Sequence, residues 1–370
     1  MNKIINGLEE NIENFLKKLS IDNSLYQYRN TLKGNTKNGS NLRLGYSCYA
    51  LKIYFTLGLW HKLDRESKDE WINYINSFQD SVSRFPANSF IDEALISGYS
   101  NFSNYKKLKN LAKLSLNYFN LYNFGGVEGQ LNEAVKAESK QAISTLYQIG
   151  SKNNKEYSDF EKTEDQVNSY ISSLDWGKPW SAGAQYANLC LFTETQLEKN
   201  NYQKKVLDKK IKDYLNEENG FYYIGEVPSK SQLVNGAMKV ISGLRWIGSP
   251  IHYPEKIIDY CLEVEPNQEG CDLVDVVFVL YEASKETNYK KSEIIKYFES
   301  MYEVIFSHFY PQEGGFSYYR GKSQIYYYGL RTSKGESSPD IHGTILLTWA
   351  LAMIFEVTEN ENYNWNILKP

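Results

Sequence analysis

Two kinds of helical segment alternate along this chain, and the alternation limits its folds more than any other feature. The first kind is apolar and rich in small residues: GYSCYALKIYFTLGLW (45–60), ESKQAISTLYQIG (138–150), WSAGAQYANLCLFTETQ (180–196), VNGAMKVISGLRWIG (234–248), CDLVDVVFVLYEAS (271–284) and IHGTILLTWALAMIF (341–355). IDEALISGYSNF (91–102) is a weaker member. The second kind is amphipathic and charged: NKIINGLEENIENFLKKL (2–19), ESKDEWINYINSFQ (66–79), YQKKVLDKKIKDYLNEE (202–218) and KKSEIIKYFESMYEVIFSHF (290–309). In these, apolar residues three and four apart mark one buried face. An apolar helix needs cover on every side, and an amphipathic helix supplies cover on one. Alternation at a period of roughly 40 to 60 residues predicts stacked helical hairpins, about six or seven in all. The economical closure is an all-α, α/α toroid, with apolar helices inside and amphipathic helices outside. An open solenoid is the rival arrangement. No Pro-, Gly- or Ser-rich linker breaks the pattern, so residues 1–370 read as one domain.

A sharper repeat lies inside this one. ENGFYYIGE (218–226) and EGGFSYYRGK (313–322) each follow an amphipathic helix and precede an apolar one. Both place Gly before Phe, then tyrosines, then Gly. Glycine permits a positive φ, and the aromatic residues anchor the turn on the core. The second copy continues SQIYYYG, a short hairpin with adjacent Tyr326, Tyr327 and Tyr328.

On these residues the chain resembles the prenyltransferase and terpene-cyclase α/α-toroid superfamily. QEGGFSYY (312–319) is similar to a degenerate form of that group's Q-x-x-x-G-x-W turn, and PDIHGTILLTWALAMI (339–354) to the small-residue inner helix that follows it. The resemblance implies a toroid with a central aromatic pocket and acid–base chemistry on an isoprenoid. The Asp-x-Asp-Asp general-acid motif and the Asp-Asp-x-x-Asp metal motif are absent; CDLVDVV, with Asp272 and Asp275, comes nearest to the first. Against the Asp-x-Cys and distant His that hold zinc in protein prenyltransferases, the chain offers Glu269, Cys271 and His342.

Several constellations fall at the starts of apolar helices, which a toroid brings to one mouth. Asp272 and Asp275, three apart, share a helix face and form a candidate proton-sharing pair. The alternative is a cap and an ion pair. Asp340 follows Pro339 and is placed to cap the helix opening at Ile341, with His342 in the first turn. There His342 is a candidate general base oriented by a carboxylate; a plain cap with a structural histidine is the alternative. Trp176, Trp180 and Gln185 open another apolar helix, and Glu138, with Lys140 and Gln141, opens a third. Tyr326, Tyr327, Tyr328 and Arg331 form a tyrosine-rich loop, and NFGGVEGQ (123–130) a Gly-rich approach. Together these predict an aromatic, mixed-charge pocket for a small-molecule or oligomeric substrate.

The 31 tyrosines suit sugar faces, isoprenoid chains or cations. A formal net charge of −4 gives no basic footprint for nucleic acid. No apolar run is long enough to span a membrane, and the N-terminal segment carries acids where a signal peptide is apolar. Four scattered cysteines without a CxxC pair fit a reduced, cytoplasmic setting. No cofactor is predicted; a zinc site would take Cys271 and His342 with one or two carboxylates, a non-local set without CxxC or HExxH spacing to support it. The expectation is an enzyme. Its candidate chemistries are an isoprenoid cyclase, with Asp272 or Asp275 as acid and His342 as base, and a carbohydrate lyase, epimerase or hydrolase. A binding scaffold is the non-enzymatic alternative.

Overall fold

The computed structural model describes residues 7–80, 84–100, 127–266, 269–360 and 362–370. Residues 2–6 of the first amphipathic segment, 101–102 of the weak apolar segment and 123–126 of the Gly-rich approach lie outside them. Helices dominate. In chain order they are α1 (Leu8–Leu19), α2 (Lys37–Asn41), α3 (Leu44–Thr56), α4 (Leu59–Lys62), α5 (Arg65–Asn76), α6 (Glu93–Ser100), α7 (Val127–Gln148) and α8 (Glu164–Ser173). There follow α9 (Pro179–Gln196), α10 (Asn201–Ile211), α11 (Lys230–Ile247), α12 (Pro254–Leu262), α13 (Gly270–Ser284), α14 (Lys291–Phe306) and α15 (Ile341–Val357). Three two-residue antiparallel pairs punctuate them: β1 (Gln79–Asp80) with β2 (Ser89–Phe90), β3 (Phe309–Tyr310) with β4 (Gly315–Phe316), and β5 (Tyr326–Tyr327) with β6 (Leu330–Arg331).

The six strongly apolar segments become α3, α7, α9, α11, α13 and α15, and they form a cycle of contacts. Each packs on the next in this order, and α15 packs back on α3. Four outer helices pack on members of this cycle, while α1 packs on β4. Helix α5 lies on α3, α10 on α9 and α11, α12 on α13, and α14 on α13 and α15. Their faces account for the placement: α14 buries Ile294, Phe298, Met301 and Ile305, one turn apart, and leaves its charges outside. Helices α8 and α12, short at 10 and 9 residues, add two outer members beyond the four amphipathic segments read in the sequence. The weak segment at 91–102 is α6, which packs on α2, α7 and β6 and takes no place in the cycle.

Both aromatic-Gly repeats are turns that close back on the preceding helix. Leu215 bridges Tyr222 in the first, and Phe309 pairs with Phe316 in the second. Gly220 and Gly314 take φ of 79° and 93°, which a side chain would oppose. The SQIYYYG hairpin forms, with Tyr326 opposite Arg331.

Small residues set the closest helix contact. A Cβ on Gly236 would lie 2.8 Å from Pro179 Cβ, and one on Gly243 would lie 2.8 Å from the Tyr186 ring. These glycines let α9 and α11 approach along their length. The C-terminal segment then crosses the far ends of three cycle helices. Asn366 donates from its backbone N–H to the Thr56 carbonyl and from Nδ2 to Phe55, both at 2.8 Å. The Lys369 N–H reaches Gln148 Oε1, and Trp246 Nε1 donates to the Pro370 oxygen. Carbonyls that a helix C-terminus leaves open are thus satisfied by chain. Gly243→Val is expected to destabilise the fold by about 2–3 kcal/mol through overpacking against Tyr186, read as a lower denaturant midpoint at unchanged slope.

Candidate functional site

The cycle helices are buried on nearly every side, but each keeps a narrow stripe of half-buried positions. On α15 these are His342 and Leu346; on α13, Cys271 and Asp272; on α11, Lys239. On α3 they include Tyr49 and Lys52, on α7 Ala137 and Lys140, and on α9 Ala184, Gln185 and Asn188. Spacings of three and four put the stripes of α3, α7, α9 and α15 each on one face. Half-buried positions of α7 and α9 line a common recess with the β5–β6 hairpin. Lys239 electrostatically perturbs Lys140 of α7, Asp275 of α13 and His342 of α15, although α11 itself packs on α9 and α13. A cavity of about 650 Å³ between α7, α9 and the β5–β6 hairpin is lined by Glu133, Ala137, Ala184, Gln185, Asn188 and Tyr328.

Asp340 answers for the geometry at the start of α15. It is fully buried, and Oδ1 accepts the Gly343 N–H at 2.7 Å, the N-cap bond expected from the sequence. Oδ2 accepts two further backbone N–H groups, from Tyr318 at 2.8 Å and Gln324 at 3.0 Å. Burial raises its carboxyl to about 6 against the pull of these bonds. So Asp340 is occupied with the backbone and does not itself orient His342, a correction to the expected acid–imidazole pair. Gln324 does that instead: its Oε1 meets His342 Nδ1 at 2.6 Å. The carboxylate fixes the Gln324 backbone, and the Gln324 amide fixes the imidazole.

His342 is held between two phenols. Tyr49 stacks on it at 4.7 Å and 4°, and Tyr318 at 5.3 Å and 27°. Burial and the Lys239 charge push its pKa down to about 3, so the ring is neutral at physiological pH. With Nδ1–H donating to the Gln324 carbonyl oxygen, the Nε2 lone pair is left without a hydrogen-bond donor among the described residues. Burial holds the hydroxyls of Tyr49 and Tyr318 well above the usual phenol range, so both keep their protons.

Glu138 reads in the sequence as part of a helix start, but it lies midway along α7, because the helix begins at Val127 and runs straight through Gly129. It is 1% exposed. Tyr327 donates to its Oε1, Oε2 has no partner among the described residues, and burial pushes the carboxyl up to about 8. Gly45 makes room for this contact: a Cβ there would fall 1.9 Å from the Tyr327 hydroxyl oxygen. Tyr328 donates to Gln141 Oε1 at 3.4 Å on the same side, with a left-handed φ of 43°.

Asp272 and Asp275 diverge. Asp272 accepts from Asn235 Nδ2 at 2.9 Å and lines a cavity of about 280 Å³ between α11 and α13. Asp275, one turn deeper, is buried with Oδ2 unpartnered among the described residues, and burial raises it to about 7. Cys271 lies beside Tyr318, and burial pushes its thiol up to about 12. Among the described residues no three His, Cys, Asp or Glu side chains converge as metal ligands.

The remaining candidates sit away from the recess or at its edge. Trp176 is buried on Tyr214 at 4.4 Å, with Nε1 donating to the Ile171 carbonyl, which leaves no face for a ligand. Trp180 is 38% exposed on the first turn of α9. Gln185 is bonded to Glu133 at 2.5 Å and to Tyr170 at 3.1 Å. Tyr326 and Arg331 face outward, and Arg331 Nε donates to the Ser333 carbonyl. Of Lys52, Lys140 and Lys239, the sequence reading takes up only Lys140, beside Glu138, yet Lys52 is the lone charge in the apolar segment 45–60. That is a legible signal, because such a helix has no solvated face to receive the charge.

No family model, no curated protein and no solved structure matches the chain.

Asp340→Ala would leave three buried backbone N–H groups unpaired, and it is expected to cost about 3 kcal/mol or more. His342→Ala is expected to cost under about 1.5 kcal/mol. Paired chemical denaturation curves measure both; equal losses would mean that His342 is a core residue.

Proposed function

We propose that the six-helix cycle is a single-domain α/α toroid and that its centre is the active site of an enzyme. The substrate class is a hydroxyl-rich carbohydrate, and the reaction is proton transfer at carbon, as in a lyase or epimerase. The observation that carries this reading is the neutral His342 ring, fixed through Nδ1 and stacked between Tyr49 and Tyr318. The free Nε2 lone pair is placed to accept a hydrogen bond or proton from a substrate, and the protonated phenols beside it are placed to donate hydrogen bonds. Asn188 and the protonated Glu138 carboxyl offer hydrogen bonds suited to hydroxyls. Tyr328 and Trp180 offer ring faces at the edge.

An isoprenoid cyclase is the second reading. Its support is Asp275, a buried carboxyl that keeps a proton near pH 7. Against it stand Lys52, Lys140 and Lys239, since a carbocation intermediate would form in the field of three ammonium groups. That repulsion is why the polar-substrate reading is preferred.

The test is incubation with neutral and acidic oligosaccharides, followed by mass and stereochemical analysis of products. Turnover is expected on a sugar, and His342→Gln is expected to lower it about 10²–10⁴-fold with little change in thermal midpoint. Turnover of prenyl diphosphates alone would overturn this reading.

A further inference from the structure

We propose that the cavity between α7, α9 and the β5–β6 hairpin is a subsite for an uncharged sugar ring, with Tyr328 as its stacking platform. This deepens the reading above and rests on it only in assigning that sugar to the substrate of His342. The cavity holds about 650 Å³, within the roughly 300–1,000 Å³ of small-molecule sites. Its hollow comes from side-chain size: Ala134 and Ala137 on α7 and Ala184 on α9 leave space that larger residues would fill. Tyr328, 36% exposed, forms part of the wall. A line of rings ties this hairpin to the imidazole. His342 stacks on Tyr49 at 4.7 Å, Tyr49 meets Tyr327 edge-on at 6.2 Å, and Tyr327 meets Tyr328 at 4.5 Å.

The backbone at Tyr328 marks a residue kept for its side chain. Tyr327 pairs with Leu330, so Tyr328 and Gly329 are the two loop residues of the hairpin, with φ of 43° and 80°. Such a turn favours Asn, Asp or Gly at its first position, and a tyrosine there is strained. Its surroundings hold it in place: the Tyr99 hydroxyl donates to the Tyr328 carbonyl, and the Tyr328 hydroxyl donates to Gln141 Oε1 at 3.4 Å. The polar groups suit hydroxyls. The Asn188 amide lines the cavity with no hydrogen-bond partner among the described residues. Gln185 Nε2 donates to Glu133 Oε2 at 2.5 Å, and Gln185 Oε1 accepts from the Tyr170 hydroxyl at 3.1 Å, which fixes the carboxylate at the rim. Glu133 is the one charged group among the described lining residues. Lys136 on α7 is turned to the Tyr170 hydroxyl at 3.4 Å, and Lys140 does not line the cavity. A carboxylate or phosphate would meet the Glu133 charge with no cation to offset it. A neutral pyranose offers an apolar face to the tyrosine ring and hydroxyls to the amide and the carboxylate.

The experiment is isothermal titration calorimetry of the full chain, in a His342→Gln background that keeps the ligand intact. The probes are xylotetraose, mannotetraose, cellotetraose and maltotetraose, with tetragalacturonate as the acidic comparison. At least one neutral tetraose is expected to bind, and tetragalacturonate to bind about tenfold more weakly than it or not at all. Tyr328→Asn suits the left-handed turn position; it is expected to unfold cooperatively at an unchanged denaturant slope and to weaken binding about tenfold or more. Tyr328→Phe keeps the ring and is expected to bind within about threefold of the parent. Asn188→Ala is expected to weaken binding about fivefold at an unchanged ligand-free midpoint, since it removes no internal hydrogen bond. Equal affinity in Tyr328→Asn and the parent would overturn the proposal. So would tetragalacturonate binding as tightly as the best neutral sugar, or no binding of any neutral sugar. Binding that depends on Tyr328, without turnover of any sugar by the unaltered chain, would sink the proposed reaction and leave the subsite standing. Turnover of a neutral sugar at an unchanged KM in Tyr328→Asn with His342 intact would sink the subsite and leave the reaction standing.

Discussion

An apolar helix cannot leave a side in water, and every other feature of this chain follows from six such helices. Each must be covered by two neighbours from the same set and by amphipathic helices outside. When α15 packs back on α3, the cycle of contacts closes. Half-buried positions on these helices carry a neutral histidine, a protonated phenol at Tyr49 and the lysines Lys52, Lys140 and Lys239, while the raised carboxyls of Glu138, Asp275 and Asp340 lie in the core.

Asp340 links fold to site. Its carboxylate gathers the start of α15, the β4 extension at Tyr318 and the strand-like segment at Gln324 onto one buried point. Gly343 permits this closeness, since a Cβ there would lie 2.3 Å from the Tyr318 nitrogen. Both phenol and amide that hold His342 are thereby placed by one residue that never touches the imidazole's free nitrogen. Positioning of this kind costs little reorganisation when a proton moves.

Much of this was legible in the sequence. All six cycle helices could be read from segment type, because a uniformly apolar stretch of about fifteen residues must be covered on every side wherever it packs. The Asp340 cap, the His342 placement and the two aromatic-Gly turns were readable from local chemistry. The partner of His342 was not: Gln324 lies eighteen residues upstream in a hairpin approach, and only the fold brings it to Nδ1. The depth of Glu138 was hidden because Gly125, Gly126 and Gly129 suggest a loop, whereas α7 starts at Val127 and tolerates Gly129. Trp176 resembles a ligand platform in the sequence because tryptophan near a helix start is equally suited to stacking and to packing; Tyr214 claims its face.

The central claim is that the recess holds a neutral imidazole fixed as its Nδ1–H tautomer. The direct measurement is a nitrogen-15 NMR titration of His342 from pH 8 to pH 4, with His342→Gln to assign the signal. The account predicts one tautomer throughout, protonated at Nδ1, and no titration until well below pH 5. A ring that titrates near 6.5, or exchanges between tautomers at neutral pH, would contradict it.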